Sequence, residues 1–71
     1  MWVAVDKDGT ERACHIEPRR ACYAMVWEGI DPNDGDYRDC IALPTGTIEL
    51  LFGRNLTWED APVEITKLIN H

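Results

Sequence analysis

Five side chains of this chain, Cys14, His15, Cys22, Cys40 and His71, are of types that bind zinc. Their spacing argues against a zinc site. Structural sites present paired ligands two to four residues apart, whereas Cys14 and His15 are adjacent and on a strand would point to opposite faces. The three cysteines read instead as reduced thiols, small hydrophobic residues of the core. A second candidate is the oxygen-rich run DPNDGDYRD, where Asp31, Asn33, Asp34, Asp36 and Asp39 crowd together as in a calcium loop. Placing Gly35 at the glycine position of such a loop puts its first and last ligands on Ile30 and Ile41, which cannot coordinate, so a solvated turn is expected. For nucleophilic chemistry, Cys22 with His15 lacks an orienting third group and an oxyanion donor set. Glu59 and Asp60 are adjacent, whereas glycosidase carboxylates face each other across a gap of about 5–9 Å. No catalytic, metal or cofactor residue is assigned, no cofactor is expected, and a non-enzymatic role follows.

Charge carries more information. Thirteen acids against seven Lys and Arg give a net charge of -6, which repels a phosphate backbone and leaves a basic protein partner open. The charges are unevenly spread. Glu28, Asp31, Asp34, Asp36 and Asp39 crowd one segment against Arg38, while Arg12, Arg19 and Arg20 form a local basic group. Asp31, Asp34, Asp36 and Asp39 are therefore the candidate partner-binding residues. Arg12, Arg19 and Arg20, with Tyr23, are the alternative, a nucleic-acid surface.

The elements that must position these groups follow from pattern. Trp2 to Val5 and Arg12 to Ile16 read as two strands around Asp8-Gly9, which supplies the positive φ of a tight connection. Pro18 favours extended or turn backbone. CYAMVWE, residues 22 to 28, is apolar on both faces and predicts a central strand, followed by a loop over residues 29 to 39 and a short strand in CIAL. Thr45 as N-cap, the spacing of Ile48, Leu51 and Phe52, and the stop at Gly53 predict a helix over Gly46 to Phe52. In LTWEDAPVEI, Thr57 and Asp60 suggest a capping box, Leu56 and Ala61 a hydrophobic staple, and Trp58 a clamp of the core or its rim. Pro62 then halts the turn so that VEI enters a strand, and TKLINH suits a frayed helical turn.

The pairing of VAVDKDGTE near one end with LPTGTIELLFGRNLTWEDAPVEI near the other resembles a group of short proteins encoded by bacteriophages and related mobile elements of bacteria. The resemblance covers about half of the chain and carries over no functional site. It implies an accessory role in the cytoplasm of a bacterial host.

With 71 residues the chain has room for one domain, 1–71, and no apolar run reaches the roughly 20 residues that span a bilayer. The expected fold is α+β: an antiparallel sheet of four to five strands under one short helix, or alternatively a small SH3-like barrel. The expected core is Trp2, Val3, Val5, Ile16, Val26, Trp27, Ile41, Leu43, Ile48, Leu51, Phe52, Trp58, Val63 and Ile65. Together with the odd cysteine count, a start at Met1 that runs into polar residues suggests a cytoplasmic protein without a leader. The functional expectation is a small accessory protein acting through protein–protein interaction.

Overall fold

The computed structural model describes residues 1–38 and 40–65. The fold is α+β, as expected, but its strands divide into two antiparallel sheets and do not close into one barrel. The first sheet holds β1 (Trp2–Val5), β2 (Glu11–Cys14), β6 (Ile41–Leu43) and β7 (Val63–Glu64) in the order β6-β2-β1-β7. The second holds β3 (Pro18–Ala21), β4 (Val26–Ile30) and β5 (Tyr37–Arg38), with β4 in the middle. Among the described residues one helix, α1 (Thr47–Phe52), covers the first sheet.

The β1–β2 hairpin forms where turn chemistry and strand propensity agree. Val3 lies opposite Ala13 and Val5 opposite Glu11, and Gly9 takes a φ of 94° in the connection. Asp8 accepts the Thr10 N–H at 2.9 Å, closing the turn locally. Alternation along the strands sends Val3, Val5 and Ala13 to one side, where they pack with Ile48 of α1 and Leu56. Leu43, Phe52, Val63 and Ile65 border this core. Ile41 and Leu51, expected inside, are exposed. Ile41 has the register to face the core, but β6 is the outermost strand and nothing covers its end, leaving Ile41 60 % exposed.

The expected strand over residues 22 to 28 is a hairpin instead. β3 starts at Pro18 and pairs with β4 through Arg19 opposite Glu28 and Arg20 opposite Trp27, and residues 22–25 form the connecting turn. Met25 takes a φ of 58°, a conformation that residues other than glycine adopt uncommonly, and both the Ala24 and Met25 N–H groups bond to the Ala21 carbonyl. Tyr23 and Met25 stand on this turn and are exposed. In the middle of β4, a side-chain carbon at Gly29 would lie 2.7 Å from the Arg38 carbonyl and 3.3 Å from Ile16.

Helix α1 has the expected extent but a different cap. Its N-cap is Gly46, not Thr45, and Gly46 has no side chain to satisfy the first N–H groups. The buried carboxylate of Glu11 does so from β2, accepting the Gly46 and Ile48 N–H groups at 2.8 Å each. Gly53 ends the helix as predicted, returning its N–H to the Glu49 carbonyl. The Thr57–Asp60 segment is a turn, as expected, with a different arrangement of its cap. Asp60 reaches back to the Thr57 N–H at 2.7 Å, which is half of a capping box, while the Asp60 N–H bonds to the Thr57 carbonyl and not to its hydroxyl. Leu56 is buried but Ala61 is exposed, so the staple does not form. The tail TKLINH, expected to form a helical turn, lies outside the described residues.

Three reduced cysteines were expected, but Cys14 and Cys40 form a disulfide with Cα atoms 4.4 Å apart, and Cys22 is free and exposed. The pair sits one step beyond the Ala13–Ile41 partners on adjacent strands, so the two side chains emerge side by side. An odd count therefore concealed one bond and one free thiol. Closing a loop of this size, with a sequence separation of 26, stabilises the fold by about 3–4 kcal/mol in the chain-entropy treatment.

Candidate interaction surface

The two sheets meet at Asp6, the first residue after β1, which is 1 % exposed. One carboxylate oxygen accepts from Arg12 Nε at 2.8 Å and the other from the Trp27 backbone N–H at 2.9 Å. The Trp27 indole N–H donates in turn to the Val5 carbonyl at 2.8 Å, and the Lys7 N–H reaches the Met25 carbonyl at 3.2 Å. A buried carboxylate is tolerated here because both oxygens have donors, one of them charged. Arg12 also donates to the Cys40 carbonyl at 3.3 Å.

Arg20 fastens the other side of the junction. Its guanidinium lies 4.8 Å from the Trp27 ring centroid and 5.1 Å from that of Trp58, and it donates to the Trp58 carbonyl at 2.7 Å. The two indoles meet edge to face, 5.7 Å between centroids. Trp58 is half-buried, in keeping with a rim clamp, and the turn after Leu56 is thereby tied to the second sheet.

The alternative basic group is therefore not assembled. Arg12 is paired with Asp6, Arg20 stacks on two tryptophans, and Arg19, next to Arg20 on β3, projects to the opposite face. Arg19 is exposed beside Glu28.

The acidic loop is assembled, and it is folded by its own side chains. Asp31 accepts the Asn33 N–H and Asp34 accepts the Asp36 N–H, both at 2.8 Å, while the Asp31 and Gly35 N–H groups bond across the loop. Arg38 donates to Asp31 at 3.2 Å and to Asp34 at 3.0 Å. The Asp36 N–H bond, aided by Arg38, holds the Asp34 carboxyl below its ordinary range. Asp36 is exposed, and Asp39 lies outside the described residues. Two of the four acids singled out by sequence are thus partly neutralised by Arg38.

Beside this loop is a surface that joins Tyr23, expected on the nucleic-acid face, to Glu28 of the acidic group and to Tyr37, which had no expected role. Tyr37 on β5 pairs with Ile30 on β4, and Glu28, two residues away, shares that face. Tyr23 is 79 % exposed and Tyr37 65 % exposed. The Tyr23 hydroxyl donates to Glu28 at 2.7 Å, and this bond, with some desolvation and the Glu28 charge, pushes its pKa up to about 12. Under the face, Arg12, Glu28, Tyr37 and Cys40 line a cavity of about 190 Å³. A cavity of about 550 Å³ on another side is lined by Asp6, Glu11, Leu56 and Trp58, but both of its buried acids are fully engaged in holding the fold. The Tyr23–Glu28 contact bridges the turn and β4, so it becomes visible only once the β3–β4 hairpin is known. Among the described residues no helix is long and apolar enough to cross a membrane.

Compared with protein-family models, with curated proteins and with solved structures, the chain matches none of them.

Proposed function

We propose that this is a non-enzymatic accessory protein, of phage or mobile-element origin and acting in a bacterial cytoplasm, that binds another protein through the Tyr23–Glu28–Tyr37 face. The supporting observation is the pair of exposed tyrosines fixed beside a preformed acidic loop. Tyrosine is enriched where proteins meet, and Tyr23 and Tyr37 give this side two large exposed groups. Asp31, Asp34 and Asp36 stand at its border and favour a basic partner, mainly by speeding encounter. A nucleic-acid partner is disfavoured because two of the three candidate arginines, Arg12 and Arg20, are engaged within the fold, and the net charge of -6 repels a phosphate backbone.

The test is photo-crosslinking from position 37, with a benzophenone side chain in place of the tyrosine, in lysate of a bacterial host. Capture of one basic protein that is lost on Tyr23→Ala supports the reading. Capture unaffected by Tyr23→Ala, or salt-sensitive binding of the native protein to a short oligonucleotide, counts against it.

A further inference from the structure

We propose that the Cys14–Cys40 disulfide is a redox latch on the second sheet, opened by a dithiol reductant. All three strands of that sheet, β3, β4 and β5, lie within the loop the bond closes. The two sulfurs are unequally placed. Cys14 is buried, whereas Cys40 is half-buried and lines the cavity beneath Glu28 and Tyr37. An incoming thiolate therefore reaches Cys40. It bonds to that sulfur, the S–S bond breaks, and the Cys14 sulfur leaves as a thiolate that takes up a proton. The second thiol of the reductant then attacks its partner sulfur in the mixed disulfide and releases Cys40, which is protonated in turn. Two electrons and two protons pass to the protein, and the dithiol ends as its own disulfide.

Loosening would be local because the remaining ties are unevenly distributed. Trp27, Met25 and Arg20 stay bonded to Asp6, Val5, Lys7 and the Trp58 segment, all on the β3–β4 side. On the Cys40 side, the Arg12 bond to the Cys40 carbonyl remains, β6 keeps its pairing with β2, and β5 keeps its two-residue pairing with β4. The segment loosened is thus β5, which carries Tyr37, and the acidic loop, which its own hydrogen bonds fold but do not tie to the first sheet. In the cytoplasm proposed above disulfides are commonly transient and sensory, which suits a latch better than a permanent staple. That opening the latch also weakens partner binding rests on the reading of the tyrosine face given above.

Hydrogen exchange read by mass spectrometry tests the latch on the full chain, oxidised and after dithiothreitol, alongside Cys14→Ala/Cys40→Ala. Labelling of the exposed Cys22 thiol provides the internal reference for counting thiols. Closing a loop of this length is worth a few hundredfold, roughly, in the unfolding equilibrium. The expected result is at least about tenfold faster exchange over residues 31–38 on reduction, reversed by reoxidation, with β1 and β2 still protected. The double variant should behave as the reduced protein under both conditions. Equal exchange in the two redox states overturns the latch, and so does acceleration spread evenly over β1, β2 and α1, which makes the bond a general staple. Exchange needs no partner, so failure here leaves the tyrosine-face reading standing, and failure of the crosslinking leaves the exchange result untouched.

Discussion

The carboxylate of Glu11 accepts the backbone N–H of Ile48 at 2.8 Å, so a strand of the first sheet supplies the cap of the helix that covers it. Ile48 is itself fully buried in the core. Local and tertiary structure are therefore coupled at one side chain: a helix of six residues, too short to persist alone, is held in place by a charge-assisted pair of hydrogen bonds from a distant part of the chain.

Glu11→Ala should lower stability by about 2–4 kcal/mol, since two N–H donors at a buried helix end lose their acceptor. Glu11→Gln should recover only part of this, because its amide nitrogen cannot accept the second N–H. Urea midpoints of both variants check the order, and equal midpoints for native and Glu11→Ala would remove the cap assignment.

Asp6→Ala should be the more damaging change, at about 3–5 kcal/mol, because it strands Arg12 and the Trp27 N–H together. The matching signature is a double-mutant cycle with Arg12→Met. A coupling energy near zero would mean that Asp6 and Arg12 do not stabilise one another, leaving only the Trp27 N–H to account for the loss.

In the Thr57–Asp60 turn, Asp60 is the residue whose side chain takes a backbone N–H. Asp60→Ala should cost about 0.5–2 kcal/mol and Thr57→Ala less. Thermal midpoints in the reverse order would restore the threonine as the cap.

Tyr23 should ionise late on alkaline titration. Its phenol is protonated while it donates to Glu28, and the folded-state value of about 12 lies above the ordinary 10.0. A raised value favours the protonated folded protein, so this contribution is fully present below pH 10 and is lost as pH rises towards 12. NMR titration of the Tyr23 ring should show it, and Glu28→Gln should bring the midpoint back towards 10. An unchanged midpoint in that variant would break the assigned contact.

Much of the first sheet was legible because its signals are local. Asp8-Gly9 marks the hairpin, and Ile48, Phe52 and Gly53 mark the helix and its end. The second sheet was misread at residues 22–25, where the chain reverses with no glycine, proline or asparagine and Met25 takes the unusual φ. Pairing of Pro18–Ala21 with Val26–Ile30 overrides the continuous apolar pattern there. Asp6 and Glu11 carry no local sign of their roles because their donors, at Trp27 and at Gly46 and Ile48, lie 21 to 37 residues away. Of the candidate sites, Asp31, Asp34 and Asp36 share one folded loop while Asp39 lies outside the described residues, and Arg12 and Arg20 are taken up by partners that the fold brings near.

Gly29 has a bearing on how this protein can change over generations. With the Arg38 carbonyl 2.7 Å from where a side-chain carbon would stand, even alanine would push β5 away from β4. At Gly35, in the adjoining loop, nothing lies within 4 Å of such a carbon, but a φ of 74° still favours glycine. Mutational drift should therefore spare both glycines while passing more freely through the exposed Asn33 and Asp36. A lineage could then retune its acidic border to a new partner without disturbing the strand that holds Tyr37 in place.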